Sequence, residues 1–107
     1  MFAMDNDTMP AVAVHPGFIL KEELESRKLS QKKFAEIIAM PYTQLNEVLN
    51  EKRPMSADMA LAVEAALGIK AYIWVKLQAD YTLQIAREDK KTRMRMENIR
   101  KICASLF

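Results

Sequence analysis

The sequence predicts an all-α protein, with five helices forming one domain and a further helix at the C-terminus. Three observations carry this reading. Apolar residues recur at spacings of three and four from Phe18 onward, the period of a helix with one buried face. Residues that cap or stop helices, namely Ser30, Ser56 and Gly68, fall between these runs. Strand signals are nearly absent. The one alternating stretch, Arg93 to Met96, either pairs as a short strand in a dimer or opens the C-terminal helix. A chain of 107 residues supports a single core, because a domain of this size buries only about 60 to 65% of the surface that its unfolded chain exposes.

Met1 to Val14 lacks periodicity and is read as a mobile N-terminal arm, residues 1–14. His15, Pro16 and Gly17 punctuate the chain, and helix one follows from Phe18 to Lys28, with Leu20 and Leu24 on one face and Glu23 placed to pair with Arg27. Ser30 caps helix two, whose inner face is Phe34, Ala35 and Ile38. The chain then breaks at Ala39, Met40 and Pro41, since the residue before a proline is pushed out of the helical region while proline itself fits a first turn. Helix three runs from about Pro41 to Asn50 with Leu45, Val48 and Leu49 inward. Glu51 to Met55 is a loop, and Ser56 caps helix four, whose apolar residues are Met59, Ala60, Val63, Ala66 and Leu67. Gly68 ends it by permitting positive φ. Helix five, from Ala71 to about Glu88, carries Trp74, Leu77, Tyr81 and Ile85, with Trp74 and Tyr81 assigned to the core. Residues 15–88 thus form the domain, and residues 89–107 a tail with the weaker stripe Met96, Ile99, Cys103 and Leu106.

Several function classes are excluded by residue type. The chain has one cysteine and one histidine, too few for an internal disulfide, a Cys-rich zinc site or a His-based metal cluster. Cys103 is expected to be an inert small hydrophobe, and His15 to shape the start of helix one. Glu22, Glu23 and Glu25 form a solvated charged face, and Gly17 and Gly68 alone cannot build a phosphate cradle. No enzymatic activity, metal or cofactor is therefore expected. No apolar run approaches the ~18 residues of a membrane span, and Met1 to Val14, with Asp5, Asp7 and Pro10 and no basic residue, makes a poor signal peptide. A cytoplasmic location without membrane partners is the expectation.

The overall charge of +2 is uninformative, but its distribution is not. From Lys90 to Phe107, six bases stand against Glu97, whereas residues 1–89 hold ten bases and thirteen acids. If the acidic body binds DNA it does so through a local patch, and the basic tail either adds a phosphate-neutralising contribution or is simply a solvated helix end.

The most specific stretch is Ser30 to Val48, SQKKFAEIIAMPYTQLNEV. A small side chain at Ala35 lets two helices cross closely, while Leu45 and Val48 lock helix three against helix two at the wide angle of a helix-turn-helix. In that geometry the start of helix three enters the major groove and the start of helix two meets a phosphate. Tyr42, Thr43, Gln44 and Asn46 form the groove-facing set. Glutamine and asparagine can pair bidentately with adenine, and threonine or tyrosine can meet a thymine methyl or a phosphate. Two short helices and a turn also occur in many all-α proteins that bind no DNA.

The segments HPGFILKEEL (His15 to Leu24), LSQKKFAEII (Leu29 to Ile38), LNEVLNEKRPMSADMALAVEAALG (Leu45 to Gly68) and WVKLQADY (Trp74 to Tyr81) carry a clear resemblance. From His15 to about Arg87 the chain resembles the HigA type of bacterial antitoxin, a branch of the phage-repressor-like helix-turn-helix family. The resemblance implies a lambda-repressor-like five-helix domain in a homodimer that represses its own operon at operator DNA. It also implies neutralisation of a small basic toxin, an mRNA-cleaving ribonuclease related to RelE. By position, Gln31 matches the phosphate-contacting residue, Tyr42, Thr43, Gln44 and Asn46 the base-reading face, and Lys52 with Arg53 the backbone-gripping pair. Two departures stand out. Ala39 occupies a turn position where the family commonly has glycine, and Pro41 replaces the usual Ser or Thr cap of the recognition helix. Glu47 and Glu51 leave helix three without a base of its own. The alternatives are a protein-only interaction module that has lost DNA binding and a solitary phage-type repressor. The tail helix would bury its stripe on a dimer partner, in a toxin groove or back against its own domain.

Overall fold

A computed structural model describes residues 12–106, so most of the expected N-terminal arm, residues 1–11, lies outside the described residues. Six helices follow one another: α1 (Pro16–Ser26), α2 (Gln31–Ile37), α3 (Tyr42–Leu49), α4 (Ala57–Leu67), α5 (Ala71–Glu88) and α6 (Lys90–Leu106). Among the described residues there is no strand, and Arg93 to Met96 lie within α6, which removes the strand alternative. The all-α expectation holds because the apolar period of three and four is sustained within each element.

The core is shared by five helices. Leu20 and Leu24 of α1, Phe34 and Ala35 of α2, Leu45, Val48 and Leu49 of α3, Met59, Ala60 and Val63 of α4 and Trp74 of α5 are buried together with Met55 of the intervening loop. α1 packs on α3 and α5, α2 on α3, and α4 on α5, while α6 lies against α5 with none of its residues buried. Cys103 is exposed on α6, within the tail stripe that the rest of the domain leaves uncovered.

Helix starts follow local chemistry. Ser30 Oγ accepts from the Lys33 N–H at 3.1 Å and Ser56 Oγ from the Met59 N–H at 3.1 Å, side-chain caps worth about 1 kcal/mol each. α1 begins two residues earlier than its periodicity suggests, with His15 as N-cap and Pro16 in the first turn. Pro41 is the N-cap of α3 rather than its first residue and supplies no side-chain hydrogen bond.

Helix ends depend on left-handed residues, and here glycine is the exception. Lys28, Ala39 and Glu51 all have positive φ, at 57°, 53° and 62°. At each, the residue's own N–H bonds three residues back while the next N–H bonds five back, as in Leu29 to Leu24, Met40 to Ala35 and Lys52 to Glu47. This is the Schellman closure, usually built on glycine because other residues pay a steric cost there. Ala39 therefore holds the left-handed conformation for which a glycine is expected at this turn. Substituting Ala39→Gly should raise stability by about 1 kcal/mol, read as a higher midpoint in urea; an unchanged or lower midpoint would contradict this account of the turn.

Candidate nucleic-acid interface

The helix-turn-helix is assembled on α1 as well as on its own two helices. Gly17 lies where the first turn of α1 crosses α3, and a Cβ built there would stand 1.8 Å from the carbonyl oxygen of Val48. Only glycine permits this approach. With α1 seated there, Lys21 joins Ser30, Gln31 and Lys32 of the α2 start and Tyr42, Asn46 and Asn50 of the α3 region around one open groove.

Within this groove the amides are already connected. Asn46 Nδ2 donates to Gln31 Oε1 at 3.0 Å, and Asn50 Nδ2 donates to Asn46 Oδ1 at 3.1 Å. Gln31 and Asn46 are half-buried and hold the start of α2 against the middle of α3. Tyr42 and Thr43 are exposed at the α3 start, and Gln44 is half-buried. Of the groove-facing set expected from the sequence, Tyr42 and Asn46 line this groove and Thr43 and Gln44 do not, and Asn46 already engages one amide hydrogen and its oxygen with its neighbours.

Lys52 and Arg53 stand apart from Gln31 and line a second cleft with His15, Gln78, Tyr81 and Asp89. Their loop is pinned from below. The Met55 N–H donates to Gln78 Oε1 at 2.8 Å, and the Arg53 carbonyl accepts from the His15 ring. The Arg53 guanidinium meets Glu47 on α3 at 2.8 Å.

His15 ties these parts together. Its Nδ1 accepts from the Gly17 N–H at 2.9 Å, and its ring meets Tyr81 edge-on with centroids 4.9 Å apart. It is 3% exposed. Burial pushes its pKa below the ordinary histidine value, opposed by the charge of Glu51 and the bond to the Arg53 carbonyl. The folded state therefore favours neutral His15, and its contribution to stability is present above the unfolded value and lost as pH falls through the folded one. Stability should decline as pH falls below the ordinary histidine value of 6.5, a slope that His15→Gln should flatten; an equally steep slope in that variant would refute the assignment.

Sequence reasoning missed Lys21, Lys32, Ser30 and Asn50 as groove residues, and Glu47 as the partner of Arg53. For Lys32 the signal was its position directly after Gln31; for Lys21 there was none, since only the α1 crossing brings it there. Among the described residues no group of histidine, cysteine or carboxylate side chains could hold a metal ion, and no helix is long and apolar enough to cross a membrane.

Five core helices with α2 and α3 joined by a tight left-handed turn define a helix-turn-helix domain of the lambda-repressor type. A helix-turn-helix family profile matches residues 20–74. The chain belongs to this family, in its HigA-type antitoxin branch. It is 36% identical over 81 residues to virulence-associated protein I of Dichelobacter nodosus, covering 75% of each chain. A HigA-family addiction module antidote protein from Coxiella burnetii superposes with a TM-score of 0.71 at 33% identity, over 81% of this chain and 94% of that one. The Pseudomonas aeruginosa antitoxin HigA, solved with the higBA promoter, gives 0.73 at 29% identity, over 79% and 94%.

Proposed function

We propose that this chain is an antitoxin and transcriptional autorepressor that binds its own operator as a dimer and neutralises a small, basic, RelE-like mRNA-cleaving toxin. The observation that carries the DNA reading is the groove in which Gln31, Tyr42 and Asn46 converge between Lys21 and Lys32. It offers amides and a phenol for hydrogen bonding beside two ammonium groups for phosphates. In this reading Gln31 contacts a phosphate, Tyr42, Thr43, Gln44 and Asn46 read bases, and Lys52 and Arg53 grip the backbone further along. The toxin half follows from membership of the antitoxin family. Residues 15–88 bind DNA in this scheme, and residues 89–107 serve dimerisation or partner docking. No residue of the 17-residue α6 is buried, although the helix lies against α5, and an isolated helix of that length is marginal in water, so a second surface is expected to cover it. A dimer would place its half-site centres about 34 to 36 Å apart, or a multiple of that.

The test is binding to a duplex from the region upstream of the gene and to a random duplex, each over a range of salt. Gln44→Ala and Asn46→Ala should reduce discrimination between the two by about 1 to 3 kcal/mol per lost bidentate pair, whereas Arg53→Ala should weaken both duplexes alike and lower the salt slope by about one. Equal losses on both duplexes for all three variants would rule out the base-reading assignment. Absence of binding even at low salt would favour the protein-only module. Co-expression with the product of a neighbouring small open reading frame tests the toxin half, and failure to capture any toxin would leave a solitary repressor.

A further inference from the structure

We propose that Glu47 sets the strength of DNA binding by holding the Arg53 guanidinium in reserve. This rests on the DNA-binding reading above and goes beyond it, because Glu47 belongs to none of the expected contact sets. Arg53 Nε and Nη2 both meet Glu47 Oε1, at 2.9 and 2.8 Å. The two side chains are 49% and 40% exposed, so the pair is screened and its loss costs little. Along α3 and the following loop, Glu47 and Glu51 balance Lys52 and Arg53, leaving this edge of the interface electrically neutral.

The loop's backbone is held on both sides of Arg53, by His15 at the Arg53 carbonyl, by Gln78 at the Met55 N–H and by the closure of α3 at Glu51 and Lys52. Exchange of Arg53 from carboxylate to phosphate is therefore a side-chain rotation that leaves the loop in place. When it happens, the ion pair with Glu47 is given up. When it does not, Arg53 arrives with its charge already neutralised. Either way Glu47 lowers what Arg53 adds, which suits a repressor that must release its own promoter.

The experiment measures the full chain against the upstream duplex and a random duplex of equal length, from low to physiological salt. Glu47→Gln should bind both about three to five times more tightly, with a salt slope steeper by about one. In an Arg53→Ala background the same substitution should gain less than about twofold. Glu47→Ala should reproduce both results, and thermal unfolding should show each variant folded. An equal gain in both backgrounds would overturn the proposal, since Glu47 would then repel phosphates without involving Arg53. Normal binding by the unaltered chain with no gain from Glu47→Gln would overturn it alone. No DNA binding by any variant at low salt would overturn it together with the reading on which it rests.

Discussion

Gly17→Ala is expected to destabilise the domain by about 3 kcal/mol, and to weaken DNA binding beyond what the lost stability explains. Alanine favours a helix over glycine by about 1 kcal/mol, so propensity alone points the other way. Space decides against it. The new methyl would lie 1.8 Å from the Val48 carbonyl oxygen and 2.8 Å from its carbon, and both are backbone atoms of α3 that cannot rotate aside. Relief requires α1 to move away from α3, which pulls Lys21 from the groove edge and disturbs the His15 cap two residues earlier. Urea unfolding measures the first effect, and binding under conditions where the variant is fully folded measures the second. A variant as stable as the parent would mean that the close crossing of α1 and α3 is wrong.

The second large effect is expected at Trp74, which is 1% exposed and joins α5 to the core built by α1 to α4. Trp74→Ala should cost about 3 to 5 kcal/mol through lost burial and the cavity left behind, a large share of the 5 to 15 kcal/mol that folded domains of ordinary stability possess. The indole Nε1–H has no hydrogen-bond partner among the described residues, so the tryptophan pays for an unmet donor. Trp74→Phe removes that donor while keeping most of the apolar ring. Its cost should therefore fall to about 1 kcal/mol, since burying an unsatisfied polar group costs about that much or more. Denaturant midpoints of the two variants give the comparison. Equal losses would show that the indole nitrogen has a partner or that ring volume alone governs the site.

Much of the architecture was legible from residues within one helical turn of each other. Ser30 and Ser56 caps, the Gly68 stop, the bounds of α5, the inward faces of α2 and α3 and that of α4 as far as Val63 depend on the apolar period and on a side chain reaching a nearby N–H, whereas Ala66 of the expected α4 face is exposed. The left-handed residues were legible only in part. Gly68 announces itself by residue type, and Ala39 was marked by its departure from a family glycine, whereas nothing local distinguishes Lys28 or Glu51 from an ordinary exposed residue.

The candidate site divides along the same line. Gln31, Tyr42 and Asn46 could be named from their places in the helix-turn-helix stretch, and the fold brings them to one groove. That Asn46 is bonded to Gln31 and Asn50, that Lys21 completes the groove, and that Arg53 is held by Glu47 in another cleft were not readable from spacing. Each depends on how α1 and the 51–55 loop seat against α3 and α5. That seating is set by the burial of Leu20, Leu24, Met55 and Trp74 in one core and by the absence of a side chain at Gly17. Local sequence specifies which segments are helices and which face of each is apolar. The crossing of those faces is a many-body packing outcome, and it alone determines which polar side chains share a groove and which neutralise one another.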